Sequence, residues 1–342
     1  MFGAGNIAAA LTFIPIGLAA DRWGTKPLLV MTWFASMLGA AAFLPLSDWR
    51  GAVFGSFLYW VGSAAFPLLS AHLAVSTPRA RLGRELGVVY GAFFFGTILA
   101  SPFAGPLGAA IGLREGLAVA VAAFLLSASL TLWLARVRPT AVGALRLPRS
   151  FWVLLAVTPF AALITVIVNP LFPVFVRDVV AVPLERVGIY VGLVALGAAV
   201  FSTLNGRLSD ARGPLIAIVG AGALLTLAAT TIVFAGRAEP VLGVGSFLLG
   251  SQSAANPVLV SALARVLPPS RANLGYSGFQ LVYALGFGVG GLLSGVLYDA
   301  DPLLPLLVQM ALALPVTVTV AITVSRVVGS REAIASLASK ND

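Results

Sequence analysis

The sequence has no cysteine, one histidine and only two lysines among its 342 residues. These absences exclude disulfides, thiolate metal sites and a phosphate-binding loop ending in Gly-Lys-Ser/Thr. Charged residues make up 10% of the chain, whereas an average soluble domain has about 25%. Apolar residues make up 59%, with a mean hydropathy of +1.02. This balance predicts an all-α, polytopic helical membrane protein.

Apolar runs of about 20 residues, enough to cross a bilayer as a helix, alternate with charges and turn residues. Cutting the sequence at these interruptions predicts eleven helical spans. Their approximate bounds are 1–20, 28–46, 51–74, 87–111, 117–135, 151–176, 188–205, 214–235, 241–263, 275–298 and 303–325.

The basic residues are concentrated in the loops on one side of these spans. Those loops hold 16 of the 21 Lys and Arg, so the positive-inside rule predicts that they are cytoplasmic in a multi-pass protein of the inner (plasma) membrane. The net charge of +9 does not predict a nucleic-acid partner, because the basic residues lie between apolar spans. The loops assigned to the cytoplasm are 21–27, 75–86, 136–150, 206–213, 264–274 and the tail after 325.

The sequence contains an internal repeat. Residues 62–74 and 252–264 are identical at seven of 13 positions, at an offset of 190 residues. Two tandem, parallel halves are typical of transporters. We therefore predict three regions, which are an N-terminal bundle over 1–138, a basic linker over 139–150 and a six-helix bundle with a short tail over 151–342.

The predicted halves are unequal, with five spans in the first and six in the second. The repeat distance places the counterpart of the span 151–176 before Met1. Because Met1 starts inside an apolar run without a basic flank or a cleavage pattern, a signal peptide does not explain this. We expect an N-terminally truncated or mis-started form of a twelve-helix protein.

One loop motif occurs at equivalent places in both halves. Residues 17–26 read Gly-Leu-Ala-Ala-Asp-Arg-Trp-Gly-Thr-Lys, and residues 206–213 repeat the spacing of Gly, Asp and Gly. The string resembles the signature G-x-x-x-D-(R/K)-x-G-(R/K)-(R/K) of the major facilitator superfamily, and departs from it at Thr25. The resemblance implies transport by alternating access, with the Asp helping to lock one side closed. The conformational-switch residues it implies are Gly17, Asp21, Arg22, Gly24, Gly206, Asp210 and Gly213.

Residues 96–110 resemble a degenerate form of the antiporter motif of that family. The resemblance adds Gly105 and Pro106 to the switch residues and implies export, with protons as the exchanged ion. Close packing of small residues is the alternative. The family's antiporters usually have an Arg in the first half of the fourth helix, and the span 51–74 has none, which argues against proton coupling of that type.

Enzymatic and cofactor functions are not predicted. Residues 286–291 match the dinucleotide pattern G-x-G-x-x-G, but they lie in an apolar helix without a preceding strand or a following acid. The spans offer no nucleophile with a base and an orienting acid, and no metal cluster. We therefore predict no enzyme, no cofactor and no metal site.

The resemblance implies a central cavity lined by the first, fourth, seventh and tenth helices of the family fold. Polar and aromatic residues at helical spacing mark the candidate contacts, and the amides are the stronger candidates because an unpaired amide in lipid is costly. Prolines 67, 170, 173 and 257 are expected to bend the helices beside them. The predicted substrate-binding residues are Tyr59, Ser63, Phe66, Thr165, Asn169, Gln252, Asn256, Gln280 and Tyr283.

These observations predict a monomeric secondary transporter with the lipid bilayer, a small-molecule substrate and protons as partners. A cavity without fixed charge favours export of neutral or lipophilic, drug-like molecules. A facilitator or importer of a sugar-like solute is the first alternative, and uptake that survives an uncoupler would favour it. A transporter-like sensor that moves nothing is the second, and zero flux across a broad solute panel would favour it.

Overall fold

The computed structural model describes residues 2–45, 49–78, 81–134, 147–235, 238–267 and 271–338. Within this part of the chain, fourteen α-helices and short 3₁₀ turns form the regular structure. The helices are α1 Phe2–Trp23, α2 Thr25–Ala42, α3 Trp49–Val61, α4 Ala65–Ser76, α5 Leu82–Ile111, α6 Leu113–Thr131, α7 Arg149–Val166, α8 Phe172–Asp178, α9 Leu184–Arg212, α10 Pro214–Ala235, α11 Glu239–Leu249, α12 Ala255–Val266, α13 Ala272–Ala300 and α14 Leu304–Ala338.

The predicted all-α membrane fold is confirmed. Nine helical segments in the described part of the chain are long and apolar enough to cross a membrane, and each overlaps one predicted span. The other two predicted spans, 1–20 and 28–46, correspond to α1 and α2. Most of the predicted linker (139–146) and the end of the tail (339–342) lie outside the described residues.

The internal repeat has a structural counterpart in two broken helices. A 3₁₀ turn at Gly62–Ala64 separates α3 from α4, and another at Gly250–Ser253 separates α11 from α12. Pro67 and Pro257 each lie in the first turn after the break, where a missing backbone N–H is tolerated. The repeated sequence therefore places one break in each half.

The predicted span over 151–176 is interrupted beside Pro170 and Pro173, which were expected to bend it. Helix α7 ends at Val166, and α8 begins only at Phe172. The break leaves the last carbonyls of α7 without helical partners. The buried side chain of Gln309 on α14 satisfies one of them, since its Nε2 donates to the carbonyl oxygen of Ile164 at 3.0 Å. Asn169 lies within the break, so its side chain is available to the interior.

The first half (α1–α6) and the second half (α7–α14) meet mainly where α1 packs on α13 and α5 packs on α9. We call the end of the bundle with the turns at Gly24 and Gly213 the basic end. One buried apolar cluster near this end joins Leu82 and Leu86 of the first half to Leu263 and Leu267 of the second. The described side chains thus close the basic end between the halves.

Candidate functional site

A central cavity of about 380 Å³ lies between the two halves, within the usual size range of small-molecule pockets. It is bounded by residues from α1, from both broken helices and from α5, α9 and α13, with Asn169 from the α7–α8 break. The described lining residues include no Asp, Glu, Lys, Arg or His. A ligand in this cavity would meet aromatic rings, hydroxyls and amides rather than ionic side chains.

The cavity brings together seven of the nine substrate-binding residues predicted from the sequence. They come from both broken helices, from the α7–α8 break and from α13. They are Ser63, Phe66, Asn169, Gln252, Asn256, Gln280 and Tyr283.

The two other predicted residues do not line the cavity. Tyr59 is 44% exposed and packs edge-on against Trp60 and Phe124, with ring centroids 5.8 and 5.9 Å away. A 3₁₀ turn advances 120° per residue, whereas an α-helix advances 100°. The three-residue turn after α3 therefore rotates the residues that follow it by about 60° relative to Tyr59, so Tyr59 no longer shares a face with them. Thr165 is buried, and its Oγ1 donates to the carbonyl oxygen of Ala162 at 2.7 Å.

The amide side chains of the cavity form a partly satisfied network. Gln252 Nε2 donates to Asn169 Oδ1 at 3.3 Å, and the Tyr283 hydroxyl lies close to the side chains of Thr165 and Asn256. Gln252 Oε1 and Asn256 Oδ1 are buried and have no hydrogen-bond partner among the described residues. Because each unsatisfied buried acceptor costs about 1–3 kcal/mol, this network favours a molecule that donates hydrogen bonds to it.

Aromatic side chains that the sequence analysis missed form much of the wall. Phe66 stacks on Tyr90 at 5.9 Å and meets Phe93 edge-on at 5.2 Å. An aromatic residue in an apolar span fits a lipid-facing position equally well, so no sequence signal identified these rings. The lining residues not predicted are Phe13, Trp60, Tyr90, Phe93, Phe94, Thr97, Val191, Val194, Ala195, Ala198, Ser253, Ala284 and Phe287.

The first copy of the loop motif connects the two halves at the basic end. The carboxylate of Asp21, only 7% exposed, lies close to two donors, the Asn273 side chain and the Leu274 backbone N–H, and its Oδ2 has no hydrogen-bond partner among the described residues. These donors belong to the first turn of α13, where the helix dipole favours negative charge. Gly17 permits this approach, since a Cβ there would lie 2.4 Å from Ser277 Oγ. Arg22, the next residue, is exposed.

The second copy of the motif makes its ion pair within its own half. Asp210 Oδ1 lies 4.0 Å from Arg265 Nη2 at the end of α12, and both side chains are about one-third exposed. Gly206 is buried in α9. Gly24 and Gly213 end the two copies with φ values of 86° and 88°, a left-handed region that favours glycine. The backbones of the copies therefore agree although the contacts of their carboxylates differ.

The antiporter-like segment lies in α5, where Gly105 and Pro106 are part of a helix that continues to Ile111. One turn earlier, α5 crosses α9 very closely. A Cβ on Gly188 would lie 2.7 Å from the carbonyl oxygen of Ser101. Small residues thus allow a second close crossing between the halves, away from the basic end.

Comparison with known proteins agrees with this architecture. The crystal structure of the human organic anion transporter MFSD10 (TETRAN) matches 96% of this chain and 82% of its own at a TM-score of 0.73 and 17% identity. The crystal structure of the E. coli fucose:proton symporter FucP matches 97% of this chain and 91% of its own, at a TM-score of 0.68 and 16% identity. A structure of FucP in the outward conformation matches 97% of this chain and 90% of its own, at a TM-score of 0.70 and 16% identity.

A search of curated proteins finds no significant match. The sequence profile of the Major Facilitator Superfamily matches residues 1–166 and again residues 154–338. The chain therefore belongs to the Major Facilitator Superfamily of membrane transporters.

Proposed function

We propose that this chain is a secondary transporter that exports small, uncharged, partly apolar organic molecules across the plasma membrane by alternating access. The supporting observation is the central cavity, where amides and aromatic rings surround a space without an ionic side chain. An ionic cargo would lose hydration in such a site without gaining a counter-charge.

The basic end is proposed to face the cytoplasm, as the distribution of Lys and Arg indicates. In the described state this end is closed by the apolar cluster around Leu82 and Leu263 and by the contact of Asp21 with α13. Loading or release of cargo at the cytoplasmic side requires both contacts to separate. Asp21 is thus the proposed conformational latch, and Asp210 has a smaller part in the same movement.

Export and exchange for protons are proposed from the antiporter-like segment around Gly105 and Pro106. The described cavity residues include no carboxylate or imidazole that would bind the proton beside the cargo. Proton coupling therefore requires a group outside these lining residues. Flux driven by an imposed pH gradient, and its loss with an uncoupler, measures this coupling directly.

Uptake of a sugar-like solute is the second candidate function. The observation that favours it is the combination of acceptor amides with a stacked pair, Phe66 and Tyr90, because hydroxyl groups and apolar ring faces of a sugar suit the same chemistry. Solute-gradient-driven uptake into proteoliposomes that persists with an uncoupler would support this candidate over a proton-coupled exporter.

The proposed function is tested by flux in proteoliposomes, with a panel of neutral aromatic and polyol solutes. Gln252→Ala and Asn256→Ala are each expected to weaken cargo binding by about two- to tenfold, the value of a neutral hydrogen bond. Thr319→Val is the matched control, since Thr319 is an exposed polar residue of α14 outside the cavity. Zero flux for every solute with the unaltered chain would favour a sensor over a transporter, and unaltered binding in both variants would place the site elsewhere.

A further inference from the structure

The two halves contribute different chemistry to the cavity. The four amides that line it (Asn169, Gln252, Asn256 and Gln280) all belong to the second half. The first half contributes rings and small hydroxyls, with no amide among its described lining residues. We call these two surfaces the amide wall and the aromatic wall. The aromatic wall consists of Phe13, Trp60, Phe66, Tyr90, Phe93 and Phe94.

The aromatic wall is suited to the flat face of a ring. Phe66 and Tyr90 are nearly parallel, with 14° between their planes, and Phe93 meets Phe66 at 79°. Aromatic groups prefer offset-stacked and edge-to-face arrangements, and both are present in this wall. A planar conjugated molecule would gain contacts here that a puckered saturated molecule of the same size would lack.

The amide wall is suited to hydrogen-bond donors. Gln252 donates one N–H group to Asn169, and Asn256 lies close to the Tyr283 hydroxyl. Two amide oxygens of the cavity, Gln252 Oε1 and Asn256 Oδ1, are buried without a partner in the described part of the chain. Gln252 lies in the 3₁₀ turn and Asn256 in the first turn of α12, and both line the cavity. A ligand that satisfies both oxygens must present two donors.

Both walls line the same cavity, so one bound molecule can contact the two together. We infer that the cargo is a planar, uncharged aromatic molecule with two hydrogen-bond donors on one edge, its ring against the aromatic wall and its donor edge on Gln252 and Asn256. This substrate class rests on the proposed transport function and makes it specific. Phenols, anilines and aromatic amides with paired donors belong to the class.

The test uses three probes of matched size with the purified full chain. The probes are 1,3-dihydroxynaphthalene, its dimethyl ether and a decahydronaphthalene diol, and binding is measured by calorimetry. The aromatic diol, 1,3-dihydroxynaphthalene, is expected to bind at least about tenfold more tightly than its dimethyl ether, because methylation removes both donors. It is also expected to bind several-fold more tightly than the saturated diol, which cannot stack.

Variants of each wall should remove only one of these preferences. In Gln252→Leu/Asn256→Leu the diol and the ether are expected to bind within twofold of each other, while the preference for the aromatic over the saturated diol remains. In Phe66→Leu/Phe93→Leu the aromatic and the saturated diol are expected to bind within twofold of each other, while the preference for the aromatic diol over its ether remains. Thermal denaturation checks the folding of both variants, and the comparison of probes on the unaltered chain does not depend on any variant.

Equal affinities for the diol and its ether, or no binding of any probe, would overturn the inference. So would a donor preference that persists in Gln252→Leu/Asn256→Leu. Flux of other neutral solutes without these preferences would leave the proposed transport function standing while overturning the substrate class. Selective binding of the diol without flux of any solute would instead contradict transport and retain the ligand class.

Discussion

Asp21 and Asp210 occupy equivalent positions in two copies of one loop motif, yet their contacts differ. Asp21 is buried and connects α1 of the first half to the start of α13 in the second. Asp210 is about one-third exposed and pairs at 4.0 Å with Arg265 of its own half. The comparison teaches that the motif fixes the turn, while the partner that meets the carboxylate decides whether it can hold the halves together.

The largest effect is expected for Asp21→Asn, which removes the charge of the contact that spans the halves. Hydrogen bonds to charged groups contribute about 1.5–3 kcal/mol, which corresponds to a shift of about ten- to a hundredfold in the closed population. Flux at saturating cargo is therefore expected to fall at least about tenfold, while expression and cargo affinity stay nearly unchanged. Parallel flux and equilibrium binding assays measure the two quantities, and unchanged flux would refute the latch assignment.

A smaller, several-fold loss of flux is expected for Gly17→Ala, which disturbs the crossing of α1 and α13 beside Asp21. The new Cβ would lie 2.4 Å from Ser277 Oγ and 2.7 Å from its Cβ, so α1 and α13 must separate. Overpacking of this kind costs about 1–3 kcal/mol. Flux and the thermal unfolding temperature should both fall.

The control for this crossing is Gly96→Ala in α5, where an added Cβ meets no atom within 4 Å. The double variant Gly17→Ala/Ser277→Gly exchanges the small residue between the helices and should recover most of the loss. If Gly96→Ala were as damaging as Gly17→Ala, close packing at this crossing would not be the cause.

The smallest effect is expected for Asp210→Asn. Exposed ion pairs contribute about 0.2–1 kcal/mol, so flux should change by less than about fivefold, and less at high salt. The measurement is the same flux assay at low and high ionic strength. A loss equal to that of Asp21→Asn would show that the two copies act alike and would remove the distinction drawn between them.

Much of the fold could be predicted from the sequence because lipid imposes a simple rule on helix length and loop charge. The prolines at 67, 170, 173 and 257 were expected to bend three helices, and each of those helices is interrupted beside them. The bond from Gln309 of a distant helix to the Ile164 carbonyl could not be predicted. Long-range partners of this kind leave no trace in a hydropathy pattern.

The candidate site was predictable where polar groups are rare. Asn169, Gln252 and Asn256 stand out in apolar spans, because a buried amide needs a partner. Tyr59 was assigned to the wrong face, since helical spacing does not account for the 3₁₀ turn that follows it. Tyr90 and Phe93 were missed because rings toward lipid and rings toward the cavity look the same in sequence.

The central claim, reciprocal opening of the two ends, is tested most directly by distances between spin labels. The sequence has no cysteine, so pairs can be introduced without removing any. Trp23→Cys with Ala211→Cys reports on the basic end, and Arg114→Cys with Glu185→Cys reports on the opposite end; all four positions are exposed. Saturating cargo should lengthen one distance while it shortens the other. Two constant distances, or two that change in the same direction, would contradict alternating access.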